Sequence, residues 1–172
     1  MCWLLFSANI FAMTPDPSHQ KSELLIMQNI HLELGASNPI GPSPAHFNLA
    51  FRYAKQELQY RAESFPIGPG YIIGLDHSFG SQTTRLGIAA TTETVLSGFM
   101  AGALLKHQAG KFYGGIQVGF DFGGTLPFGF YFRQSYMILD PNPWHADFGI
   151  RVILHKKKES RPLINLKRNW YE

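Results

Sequence analysis

The chain has 172 residues, the length of a single domain, with 16% charged and 14% aromatic residues. Soluble domains usually contain about 25% charged residues, so this composition argues against a surface built mainly from Lys and Glu. The formal charge of +3 is concentrated near the C-terminus and does not follow a folded face, so we expect no nucleic-acid partner.

The first twelve residues, MCWLLFSANIFA, form an apolar stretch that contains the only cysteine, Cys2. Such a stretch is typical of the apolar region of a secretory signal, and we predict that residues 1–12 are a signal peptide. No Lys or Arg precedes the stretch, and the alternative is a buried N-terminal strand or helix. Residues 13–27 are predicted to be a polar N-terminal arm.

From Gln28 onward, apolar and polar residues alternate with a period of two, which predicts strands with two unlike faces. Residues 55–64 are polar and could form a helical turn. The fifth strand has apolar or small residues on both faces, so its orientation stays open. The eight predicted strands lie near Gln28–Ala36, His46–Ala54, Tyr71–Phe79, Arg85–Glu93, Leu96–Leu105, Phe112–Phe122, Phe128–Arg133 and Trp144–Leu154.

Most predicted connections are short, which favours antiparallel hairpins because a parallel return needs a dozen or more residues. With no long helix to cover its edges, such a sheet closes on itself. The sequence therefore predicts an all-β, up-and-down meander barrel of about eight strands over residues 28–155. Residues 156–172 are predicted to be a basic tail or, through LINLKRNWY, a further strand.

Two kinds of barrel fit this alternation, and they differ in the face that meets the surroundings. A soluble lipocalin-like barrel needs a polar outer face, whereas a transmembrane barrel has an apolar outer face and encloses its polar residues. The polar face here is mostly Gly, Ala and Ser with four acids matched by four arginines, which favours the transmembrane barrel because buried charges must be paired. The predicted enclosed charges are Glu33, Arg52, Asp76, Arg85, Asp121, Arg133, Asp147 and Arg151.

This alternation over residues 28–155 resembles that of the small eight-stranded outer-membrane barrels, with the architecture of the OmpA transmembrane domain. The resemblance rests on alternation, without a family-specific motif. It implies a bacterial outer-membrane location and contact with membrane lipid. One departure is that residues 156–172 follow the last predicted strand, where such barrels usually end on a terminal aromatic residue.

Two groups of residues could carry chemistry. His77 and Ser78 follow Asp76, and barrels of this architecture include lipid A deacylases, but neighbouring strand residues face opposite sides and these three cannot converge. His145 and Asp147 share a face, with His31 nearby if the first and last strands meet, yet a metal site needs three or four ligands. We expect neither a catalytic site nor a metal or cofactor.

The sequence thus predicts an outer-membrane barrel with a charge-paired, plugged interior that is structural or weakly pore-forming. The alternatives are a membrane-embedded lipid A-modifying hydrolase, using His77 and Ser78, and a soluble ligand-binding barrel. Oligomeric state stays open.

Overall fold

The computed structural model describes residues 23–39, 44–61, 64–94, 96–124 and 126–162, and these form eight β-strands. Each strand arises where apolar and polar or small residues alternate. The strands are β1 (Glu23–Pro39), β2 (His46–Arg61), β3 (Ser64–Ser78), β4 (Thr83–Glu93), β5 (Ser97–Gln108), β6 (Lys111–Phe122), β7 (Phe128–Met137) and β8 (Trp144–Pro162).

Each strand pairs antiparallel with the next, and β8 pairs with β1 to close the barrel. The predicted all-β meander barrel is therefore confirmed. We call the end where β1 begins and β8 ends the terminal end, and the opposite end the far end. At the far end, residues 109–110 connect β5 to β6, and both Ala109 and Gly110 have positive φ angles, as a tight two-residue hairpin turn requires.

Several strands extend further than the sequence indicated. β1 begins at Glu23 and β8 continues to Pro162, so the barrel strands exceed residues 28–155 at the terminal end. Residues 55–61, which could have formed a helical turn, are strand instead: β2 continues to Arg61, pairing with β1 as far as Tyr60 and with β3 as far as Arg61. The predicted signal peptide (residues 1–12) and the further strand predicted beyond residue 162 lie outside the described residues.

The two faces of the barrel wall differ sharply in composition. Along β4, buried and exposed residues alternate over the whole strand, with Arg85 buried and Ile88 55% exposed. β5, whose orientation the sequence left open, turns Met100, Leu104 and Lys106 inward. In β3–β7 every charged residue is buried except Lys111, which begins β6. In β3–β7 the wall therefore turns most of its large apolar residues outward and all but one of its charges inward.

Among the described residues, no helix is long and apolar enough to cross a bilayer.

Candidate functional site

The interior of the barrel holds a chain of ion pairs in which acids and arginines alternate. All eight charges predicted from the sequence lie in the interior, each at most 5% exposed, and each contacts at least one opposite charge. In order of contact, the chain consists of Asp147, Arg85, Asp76, Arg52, Glu33, Arg133, Asp121 and Arg151.

Glu33 of β1 is the centre of this ion-pair chain. Arg133 donates two parallel hydrogen bonds to its carboxylate, from Nη1 to Oε2 at 2.5 Å and from Nη2 to Oε1 at 2.6 Å. Arg52 Nε donates a third, at 2.6 Å. A planar guanidinium fits a carboxylate in this bidentate manner, and hydrogen bonds between ionised groups are stronger than neutral ones. Glu33 thus joins β1 to β2 and, across the interior, to β7.

The remaining charges of the ion-pair chain extend from both sides of the central group formed by Glu33, Arg52 and Arg133. Arg85 contacts Asp76 at 2.5 Å through Nε and Asp147 at 2.8 Å through Nη1. At the other end, Arg151 Nη1 lies 3.5 Å from Asp121, and its Nη2 donates to the carbonyl oxygen of Gly124 at 2.7 Å. Seven of the eight strands therefore contribute a charge to one continuous network.

Small residues leave room for the long arginine side chains. Arg52 is paired in register with Gly74, and Arg133 with Gly119. A β-carbon added at Gly74 would lie only 2.5 Å from Cγ of Arg52. These inward glycines therefore make room for the arginine side chains.

A second polar cluster lies at the far end and includes residues that the sequence reading missed. Lys106 Nζ contacts Asp140 Oδ2 at 2.5 Å and His145 Nε2 at 3.3 Å. Burial disfavours the charged form of Asp140, but its hydrogen bonds with Lys106 and the Asn142 backbone hold the pKa of that carboxyl below its usual value. The turn between β7 and β8 is thereby tied to β5.

Lys106, Glu93 and Asp140 were not among the enclosed charges predicted from the sequence, and these three differ in whether the sequence could have placed them there. A two-residue turn at 109–110 pairs Lys106 with Tyr113, whose face was already predicted to be inward, so hairpin register would have placed Lys106 inside. Glu93 is 1% exposed and shares the face of Arg85 along β4, so simple alternation would have found it. Asp140 lies in a turn, where no periodicity applies.

The residues considered for catalysis or metal binding do not converge. Asp76 and Ser78 are buried in the interior, whereas His77 lies on the outer side, where its Nδ1 is 3.0 Å from Thr84 Oγ1. β1 and β8 do pair, but His145 lies opposite Pro39 while His31 lies opposite Ile153. Within the described ranges, no group of three or more His, Cys, Asp or Glu residues could hold a metal ion.

The far-end cluster borders a cavity of about 100 Å³. It lies beside Arg85 and Lys106, among side chains that are all polar or charged. The cavity and the ion-pair chain meet at Arg85, which belongs to both.

Comparison with protein-family models, with curated proteins and with solved structures finds no match to this chain.

Proposed function

We propose that this protein is an outer-membrane β-barrel whose interior is plugged by paired charges and which acts as a structural component of that membrane. The observation that carries the proposal is the division of the wall: in β3–β7 every charge except Lys111 is turned inward, and most of the Ile, Leu, Val and Phe side chains are turned outward. In water this arrangement would expose a continuous apolar surface and bury many charges. In lipid the outward apolar side chains contact hydrocarbon, and the inward charges stay paired with one another.

Strand length and aromatic placement support the same proposal. β4, β5, β6 and β7 have 11, 12, 12 and 10 residues, close to the roughly 9–11 residues with which a tilted strand crosses a bilayer. Phe112 and Trp144 are exposed near the far end, and Phe122 and Phe128 are exposed near the terminal end. Exposed aromatic residues at both ends are typical of the two membrane interfaces.

The ion-pair chain supports a plugged interior over an open channel. An eight-stranded barrel is just wide enough for its own side chains to fill, and here those side chains are held by mutual hydrogen bonds. We therefore expect no steady conductance when the purified protein is inserted into a planar lipid bilayer. A stable ohmic conductance would contradict the plug.

A charged substitution on the outer face tests the membrane location. Ile88 lies at the centre of β4, and we expect Ile88→Arg to destabilise the folded protein in lipid vesicles by about 2–4 kcal/mol. The control is Phe112→Arg near the end of β6, where about 0–1 kcal/mol is expected. Both free energies of unfolding are measured by urea titration after refolding into vesicles.

Cell fractionation and gel mobility complete the test. The folded barrel should be in the outer-membrane fraction and migrate faster unheated than boiled. Recovery of the full-length chain from a soluble fraction, with Ile88→Arg as stable as Phe112→Arg, would replace the membrane proposal with the soluble-barrel alternative.

Hydrolysis of lipid A is the weaker proposal, because Ser78 and His77 lie on opposite faces of β3. On the outer face, His77 lies beside the hydroxyl group of Thr84, and this pair is the arrangement left for a hydrolase to use. Lipid A from cells that express the protein should keep all its acyl chains. Loss of a chain that is abolished by His77→Ala would support the hydrolase instead.

A further inference from the structure

We infer that the far-end cavity is a binding site for a single phosphate-sized oxyanion. The inference concerns the barrel itself and holds whether its outer face meets lipid or water. It rests on the chemistry of the cavity lining, on two buried groups without hydrogen-bond partners, and on the size of the space.

Every side chain that lines the cavity can donate a hydrogen bond. The lining contains hydroxyls, amides and imidazoles together with the cations Arg85 and Lys106, and it contains no carboxylate and no hydrocarbon side chain. The acids that neutralise these cations, Asp76, Asp147 and Asp140, contact them but do not line the cavity. Thr83 and Gln108 already donate to the carbonyl oxygen of Ser81, so a ligand depends on the lining donors that are not engaged, as an oxyanion requires.

Two of these donors are buried and unused. Arg85 is 1% exposed and engages Asp76 and Asp147 through Nε and Nη1, whereas its Nη2 has no hydrogen-bond partner. Ser78 is 2% exposed, and its hydroxyl also lacks a partner. Both groups belong to residues that border a space water can enter, so an oxyanion would compete with water for their hydrogen bonds, and its negative charge would strengthen the bond from Arg85.

The size of the cavity matches one tetrahedral ion. About 100 Å³ holds roughly three water molecules at about 30 Å³ each, and a phosphate or sulfate of five heavy atoms fits the same space. Residues at the rim, Gln108 and Asn142, are partly or fully exposed, so the site can be reached from the far end. The phosphate could be free in solution or belong to the headgroup of a lipid.

Calorimetric titration of the folded, full-length chain with inorganic phosphate tests the site. We expect saturable binding of one phosphate per barrel and a rise in the unfolding midpoint with phosphate concentration. Ser78→Ala removes one donor without touching an ion pair and should weaken binding about tenfold or more, the effect of losing one hydrogen bond to a charged group. Thr83→Val removes another lining hydroxyl, which already donates to the carbonyl oxygen of Ser81, so it should weaken binding less than Ser78→Ala does.

The matched control is Ser135→Ala, which removes a buried, unpartnered hydroxyl that does not line the cavity. Its affinity for phosphate should equal that of the wild type. The proposal is overturned if phosphate does not bind saturably, if Ser78→Ala and Thr83→Val both keep wild-type affinity, or if Ser135→Ala weakens binding as much as they do.

A second titration identifies the source of the oxyanion. Both titrations use the protein folded in detergent micelles, and in the second a short-chain lipid that carries a phosphate monoester replaces inorganic phosphate. Tighter binding of the free ion assigns the site to a solute, and tighter binding of the lipid assigns it to a headgroup. In either case Ser78→Ala must weaken the binding.

Discussion

Two glutamates of this barrel each contact two cations, yet they lie in opposite surroundings. Glu33 lies fully buried between Arg52 and Arg133, whereas Glu159, near the end of β8, contacts Lys157 at 2.7 Å and Arg161 at 3.5 Å on an exposed surface. Water solvates the second cluster and leaves its ion pairs almost without net energy. In the interior, each charge depends on its partners, so the same contacts become structural requirements.

The largest expected effect comes from neutralising the buried glutamate. Glu33→Gln keeps the shape of the side chain but leaves Arg52 and Arg133 without their shared anion. Removal of one partner from a buried ion pair typically costs about 3–5 kcal/mol, because an uncompensated charge stays in the interior. The free energy of unfolding should fall by that amount, measured by urea titration of the folded barrel.

Glu159→Gln is the matched control for this substitution. The same chemical change in the exposed cluster should leave the urea midpoint at its wild-type value. Equal losses from the two substitutions would mean that burial does not govern these ion pairs, and the contrast between the two regions would fail.

A smaller effect is expected from filling the space beside an arginine. Gly74→Ala places a methyl group against Cγ of Arg52, only two bonds from the backbone, where the side chain has little freedom to move. Overpacking of this kind costs about 1–3 kcal/mol. In Gly114→Ala the added methyl group has no atom within 4 Å, so stability should be unchanged or slightly higher.

Unfolding midpoints of the two alanine variants decide whether the interior is tightly packed around its charges. A loss confined to Gly74→Ala supports a packed interior. Equal midpoints would indicate a loose lumen in which Arg52 can move aside.

Much of this contrast between buried and exposed charges could be predicted from the sequence, because successive side chains of a strand point to opposite faces of the sheet. The alternation of β4, β6 and β8 correctly assigned Arg85, Asp121 and Arg151 to the enclosed face. Where both faces are apolar or small, as in β5, the period of two carries no information. There the turn at 109–110 determines which residues point inward.

The identity of the ion pairs could not be predicted in the same way. Matched numbers of acids and arginines indicated that partners exist, but alternation along a strand does not say how strands are offset around a closed barrel. Glu33 and Arg133 are 100 residues apart, and their strands are not neighbours, since β8 lies between them. Their contact depends on closure and on the reach of the arginine across the interior.

The smallest expected effect belongs to Asp140, in the turn where the enclosed region meets the surroundings. Its pKa in the folded protein is lowered, since the hydrogen bond and charge of Lys106 outweigh the effect of burial, and in an unfolded chain it is near the ordinary value of about 3.9. The interaction therefore stabilises the fold above about pH 4 and is lost as the pH falls through the lower, folded-state pKa. Lys106 is buried but borders the polar far-end cavity, where water can solvate it once its partner is removed. Asp140→Asn should therefore lower the unfolding midpoint at pH 7 by less than Gly74→Ala does, and this difference from the wild type should shrink toward pH 3. The difference between Gly114→Ala and the wild type should not change over the same range, because that substitution involves no titrating group. A deficit of Asp140→Asn that stayed constant into acid would mean that the turn is held by its packing and not by its contact with Lys106.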